Sequence, residues 1–139
     1  MLELVDRFRP RTERAFVERV VSVALDYAGR PTLEVSLLLT DDAEIARVHA
    51  DYLGDATPTD VISFEMGESA EVVVSVETAR RVAKQNGTSM RAEIALYIVH
   101  GLLHTVGFDD KEERARCRMR EAERQILKKL RLRVRDVDE

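Results

Sequence analysis

The sequence predicts an α+β fold: a single domain over residues 1–139, with helices packed on a small mixed β-sheet. Three observations lead there. Short runs alternate apolar and polar residues with the period of a half-buried strand, longer runs repeat apolar residues with the period of a helix, and one stretch, Ile94 to Leu103, is apolar almost throughout. A length of 139 residues suits one domain with a real core.

Taken in order, Leu2 to Phe8 reads as a short strand. Thr12 to Ala28 places Phe16, Val20, Val23, Ala24 and Tyr27 on one helical stripe, closed by Gly29 and Pro31. Thr32 to Leu39 sends Leu33, Val35, Leu37 and Leu39 to one face of a strand. Asp41 with Glu44 three residues later is a capping signature for a helix carrying Ile45, Val48 and Tyr52, ended by Gly54. Asp60 to Phe64 and Glu71 to Val76 are strands separated by a turn, Met66 to Ala70. Glu77 to Asn86 is a helix with Gly87 after it, and Ser89 opens the next, whose apolar interior marks it as the buried central helix. Gly107 stops that helix. After the loop Phe108 to Lys111, a last helix from Glu113 to Leu130 has Ala115, Met119, Ala122, Ile126 and Leu130 at helical spacing.

Composition narrows the function classes. With 45% hydrophobic and 35% charged residues, 6 Gly and 3 Pro, the chain is neither disordered nor fibrous. The N-terminus lacks the apolar run of a signal peptide and no stretch approaches a membrane span, so the expectation is a cytoplasmic protein with no membrane partner. One cysteine, Cys117, excludes an internal disulfide and a Cys-pair zinc site; a bound metal needs His and carboxylate ligands. The net charge of −4 hides an asymmetry: Lys111 to Arg135 holds eleven basic and four acidic residues, the remainder eleven basic and twenty-two acidic. A basic segment on an acidic body suits a polyanion, although a solvated helix face with i,i+4 pairs explains it too.

His100-Gly101-Leu102-Leu103-His104 projects two imidazoles from one side of the central helix, one turn apart. Two core histidines with separate partners are the plain reading; one divalent ion satisfying both is the other. In the protease motif His-Glu-x-x-His the general base follows the first His, whereas Gly101 stands here, so a peptidase of that class lacks its base. Without a side chain, Gly101 lets another element or a substrate approach the helix closely.

Together with Gly107-Phe108-Asp109, and with Pro58-Thr59-Asp60-Val61-Ile62-Ser63-Phe64 and Val73-Val74-Ser75 before it, this motif closely resembles the YbeY family of bacterial rRNA-maturation endoribonucleases, over about Leu33 to Leu127. The resemblance implies a zinc ion on three ligands and metal-dependent, single-strand-specific cleavage of RNA. It also implies maturation of the 16S rRNA 3′ end, ribosome quality control and the ribosome or its small subunit as partner. By that resemblance the catalytic residues, acting through the metal, are His100, His104 and Asp110, the last standing where the family usually has a third His. Asp is an acceptable zinc ligand and its charge favours some tolerance for harder ions such as Mn²⁺. Asp110 with Glu113 is equally a capping box for the last helix.

Leu53 stands where the family commonly carries an Arg associated with catalysis; if that charge is needed, either Arg47 or the basic final helix supplies it or activity is reduced. His49 is a candidate for acid–base work or phosphate contact, against the plainer reading of an exposed surface His. Glu93 lies two turns from His100 on the same helical face, either behind the site or as an early-helix acid favoured by the helix dipole. Thr59 and Ser63 read as strand residues that orient backbone. The competing class is a ribosome-associated binding protein that keeps the metal for folding and has weak or lost nuclease activity.

Overall fold

The computed structural model describes residues 2–54 and 59–134. These run as β1 (Leu2–Asp6), α1 (Arg14–Tyr27), β2 (Glu34–Thr40), α2 (Asp42–Leu53), β3 (Val61–Glu65), β4 (Ser69–Ser75), α3 (Val76–Asn86), α4 (Met90–Thr105) and α5 (Glu113–Lys129), the order that periodicity predicts. The sheet order is β1-β2-β4-β3. β1, β2 and β4 are parallel neighbours, and β3 pairs with β4 antiparallel in the register Val61 to Val74. The mixture follows from the connections: a helix crosses over between β1 and β2, while β3 and β4 are close enough in sequence to form a hairpin.

Alternation along the strands divides the apolar side chains between the two faces. Val35, Leu37, Leu39, Val72 and Val74 join α1, α4 and α5 in the main core. Leu38, Ile62 and Val73 point the other way, where Ile45 and Val48 of α2 cover them. Within the main core α4 is the hub, packing on α1, α3, α5, β3 and β4; Ile94, Ile98, Leu102 and Leu103 are buried, as its continuous apolar run requires. At Gly101 the helix presses on the sheet. A Cβ there would meet Val72 Cγ1 at 2.7 Å and Val61 Cγ2 at 3.0 Å, so the close approach that this glycine permits is that of the sheet.

Several boundaries and two core assignments differ from the expected ones. β1 ends at Asp6 rather than Phe8, because the Asp6 carboxylate accepts from the backbone N–H groups of Phe8 and Thr12 and turns the chain. The turn after β3 is tighter than Met66 to Ala70: Met66 N–H donates to the Ser69 carbonyl and β4 starts at Ser69. Ser75 ends β4 and caps α3 by accepting from Thr78 N–H, so that helix starts at Val76. Asp41 caps α2 through Glu44 N–H, as its sequence signature predicts. Tyr52 is 71% exposed, edge-on to the Phe64 ring, and Tyr27 lies at the rim under Lys129; both sit at helix C-termini beyond the layer that helical period assigns them to.

Gly101→Ala should destabilise the protein. The methyl gains about 1 kcal/mol of helix propensity but overpacks a tight contact at a cost of roughly 1–3 kcal/mol. Urea unfolding should show Gly101→Ala less stable than wild type, and Val72→Ala costing less in the Gly101→Ala background than alone. Independent costs would show that the contact does not limit the helix.

Candidate metal centre and its cavity

His100 and His104 lie in the last turns of α4. His100 is partly buried; His104 is exposed, so the argument that a buried imidazole needs a partner applies to His100 alone. Each ring is nevertheless held. His100 Nδ1 lies 2.6 Å from Glu123 Oε2, and His104 Nδ1 lies 3.1 Å from the Phe108 carbonyl oxygen. A carboxylate and a carbonyl only accept, so in both rings Nδ1 is the donor, and in the neutral ring the lone pair is on Nε2. Second partners of this kind fix the orientation and tautomer of histidines that bind metal.

The turn after α4 supplies the carbonyl. Phe108 N–H donates to the Leu103 carbonyl, folding the chain back, and Phe108 packs on the core. Asp109 is then spent on the backbone, accepting from Lys111 N–H, while Asp110 Oδ2 stands 3.9 Å from His100 Nε2. Asp110 does not cap the last helix: its N-cap is Glu112, without a side-chain cap bond. The capping explanation therefore falls away.

His49, Thr59, Asp60, Ser63, His100, His104 and Asp110 line one cavity of about 340 Å³, together with Val61 and Ile62. His49 is partly buried there instead of lying on open surface. Thr59 and Ser63 flank it from β3 and its approach, and Thr59 Oγ1 donates to Asp60 Oδ1 at 3.4 Å. Arg47 is exposed and lines neither this cavity nor the one beside it. The Leu53 side chain and Pro58 lie outside what is described. Among the described residues no three His, Cys, Asp or Glu side chains are already drawn together closely enough to hold an ion.

Glu123 is the partner of His100 that the periodicity of α5 passes over. It lies on the buried stripe with Met119, Ala122, Ile126 and Leu127, and an acid in such a stripe is the signal that finds it, since a buried carboxylate needs a partner. Glu93, the carboxylate singled out from sequence, is buried at the other end of α4, where Thr88 Oγ1 donates to it at 2.9 Å. Burial alone pulls the His100 pKa down, but the Glu123 hydrogen bond and the charges of Glu123, Asp60 and Asp110 outweigh it and hold the imidazole above its ordinary 6.5.

A sequence profile described as endoribonuclease YbeY matches residues 6–131. The chain belongs to the YbeY endoribonuclease family. Among its relatives are proteins named endoribonuclease YbeY from Heliobacterium modesticaldum, 36% identical with 81% of this chain and 80% of that protein covered, and from Aquifex aeolicus, 35% identical with 91% and 90% covered. Another is that of Protochlamydia amoebophila, 41% identical with 78% of each chain covered. A Thermotoga maritima protein known from its solution structure shares the fold, with a TM-score of 0.66 over 94% of this chain and 92% of that one at 18% identity. Among the described residues no helix is long and apolar enough to cross a membrane.

A group whose pKa is raised by folding stabilises the folded state below its unfolded pKa and loses that contribution as pH rises through the folded value. In the metal-free protein the stability contributed by the His100–Glu123 pair should therefore be complete below about pH 6.5 and decline as pH rises through the higher native pKa. NMR titration of His100 with unfolding midpoints between pH 5 and 9 checks this; Glu123→Gln should lower the His100 pKa and flatten the profile, and an unchanged titration would dismiss the pairing.

Proposed function

We propose that the protein is a metal-dependent endoribonuclease that cuts single-stranded RNA in the cytoplasm during rRNA maturation, at the 16S 3′ end, and in ribosome quality control. The small ribosomal subunit is its working partner. A single divalent ion, zinc by preference, is held by His100, His104 and Asp110. The observation that carries the reading is the matched state of the two histidines: a buried carboxylate and a backbone carbonyl each take an Nδ1 proton, which leaves two Nε2 lone pairs one helical turn apart beside a cavity. Membership of the family supplies the reaction class.

The donor set fits such an ion. Two imidazole nitrogens and one carboxylate are the ligand number and types of a catalytic zinc site that keeps a position open. Asp110, half exposed and 3.9 Å from His100 Nε2, would be the third residue to hold the ion. When bound, the ion supplies Lewis-acid polarisation of the phosphodiester and acidified water, which the negative charge of Asp110 tempers relative to a neutral third ligand.

The protein's own residues position and hold protons. Glu123 keeps His100 Nδ1 protonated and the ring fixed, and the Phe108 carbonyl does the same for His104. Because Nε2 must be unprotonated to bind, the raised pKa of His100 makes metal affinity climb with pH. His49 lines the same cavity from α2, which supports a part in exchanging a proton with a leaving oxygen.

Metal analysis should find one divalent ion per chain in wild type, less in Asp110→Ala, and none in His100→Ala/His104→Ala. A single-stranded RNA assay should lose cleavage with chelator and regain it with added zinc or manganese. Asp110→His should retain metal and shift the activity rise to lower pH. Metal without cleavage would overturn the nuclease reading, and unchanged metal in Asp110→Ala would overturn the ligand assignment.

A further inference from the structure

His100 and Asp110 form a wall between two cavities. Beyond it, on the side of α5, a second depression of about 540 Å³ shares Asp60, Val61, His100 and Asp110 with the first and is completed by Leu96, Tyr97, Arg116, Met119, Arg120 and Glu123. Its volume lies within the roughly 300–1,000 Å³ of ligand-holding clefts. The composition is layered: Tyr97 and Met119 are buried and Leu96 and Val61 partly so, while Arg116 and Arg120 are exposed. A nucleotide has the same division, an apolar base with an anionic phosphate.

We propose that Arg116 and Arg120 are the phosphate-holding arm of the active-site groove, seating the nucleotide adjacent to the bond that is cut in single-stranded RNA. This rests on the endoribonuclease reading. The two arginines are four residues apart and therefore share one face of α5. Met119 and Glu123, also four apart, turn the neighbouring stripe inward to the same cavity. Two like charges at this spacing repel each other, and two guanidinium groups over one depression suit consecutive phosphates. Three carboxylates line the same depression: Glu123 is bound to His100 Nδ1, Asp110 stands beside Nε2 of that ring, and Asp60 accepts from Thr59 Oγ1.

The remaining basic residues of α5 provide the control. Arg114 and Arg118 are likewise exposed but line neither cavity, being displaced by two residues, about 200°, around the helix. Removing either pair subtracts the same charge.

The test is fluorescence anisotropy of a labelled single-stranded RNA oligomer bound to the full chain over a range of salt concentrations, with thermal unfolding of each variant alongside. Arg116→Gln/Arg120→Gln should weaken binding roughly 10- to 30-fold at about 0.1 M salt and reduce the slope of log affinity against log salt by about 1.4, near 0.7 for each phosphate that is no longer neutralised. Arg114→Gln/Arg118→Gln should change the slope by less than half of that. Equal effects of the two pairs would overturn the proposal in favour of a diffuse basic helix, and no effect of Arg116→Gln/Arg120→Gln, or no binding by wild type, would overturn it outright. Cleavage by wild type is scored separately, so a protein that binds RNA without cutting it refutes the nuclease reading while the arginine comparison stands.

Discussion

Helix α4 meets the sheet so closely at Gly101 that no side chain fits between them: Val72 and Val61 occupy the space a Cβ would need. This contact sets the depth of the helix against β3 and β4, and every other part of the site takes its position from that depth. The residue on the N-terminal side of Gly101 is His100, and His104 follows one turn after it. A helix held farther from the sheet would carry both imidazoles away from Asp60, Val61 and Ser63, with which they share a cavity. The glycine that removes the protease base is thus also the one that seats the helix.

A second constraint comes from α5. Its buried stripe is apolar except for Glu123, which faces His100 across the helix interface at 2.6 Å. Desolvating a carboxylate is costly unless a donor meets it, and the histidine is that donor. The interaction therefore does two things: it docks α5 against α4, and it fixes Nδ1 of His100 as a protonated nitrogen of the ring. The same helix brings Arg116 and Arg120 to the edge of the adjoining cavity. Docking, tautomer and surface charge are consequences of one helix position.

Order and type of the elements were legible in the sequence because they depend on local physics. Alternation in β2, the apolar stripe of α1, the Asp41 and Ser89 caps and the unbroken apolarity of α4 are short-range signals, and each element formed where its signal lies. The pair His100 and His104 was legible for the same reason, since helical spacing alone puts them on one side. Tyr27 and Tyr52 share helical stripes with buried residues yet lie exposed, because helical period says which stripe a residue is on, not how far the covering layer extends.

What tertiary structure decided is everything that joins residues distant in the chain. Glu123 rather than Glu93 partners His100, because α5 folds back on the C-terminal half of α4 while Glu93 is held by Thr88 at its start. Asp110 is released from capping because the helix begins one residue past Glu112, and Asp109 takes the backbone instead. His49 joins the cavity from the far side of the sheet, a meeting that no periodicity encodes. The sequence by itself determined the elements and the two-histidine turn, through propensity and spacing. Their carboxylate partner, their orientation and the groove around them required packing, because contact between distant residues depends on the sum of all interfaces and not on any one segment.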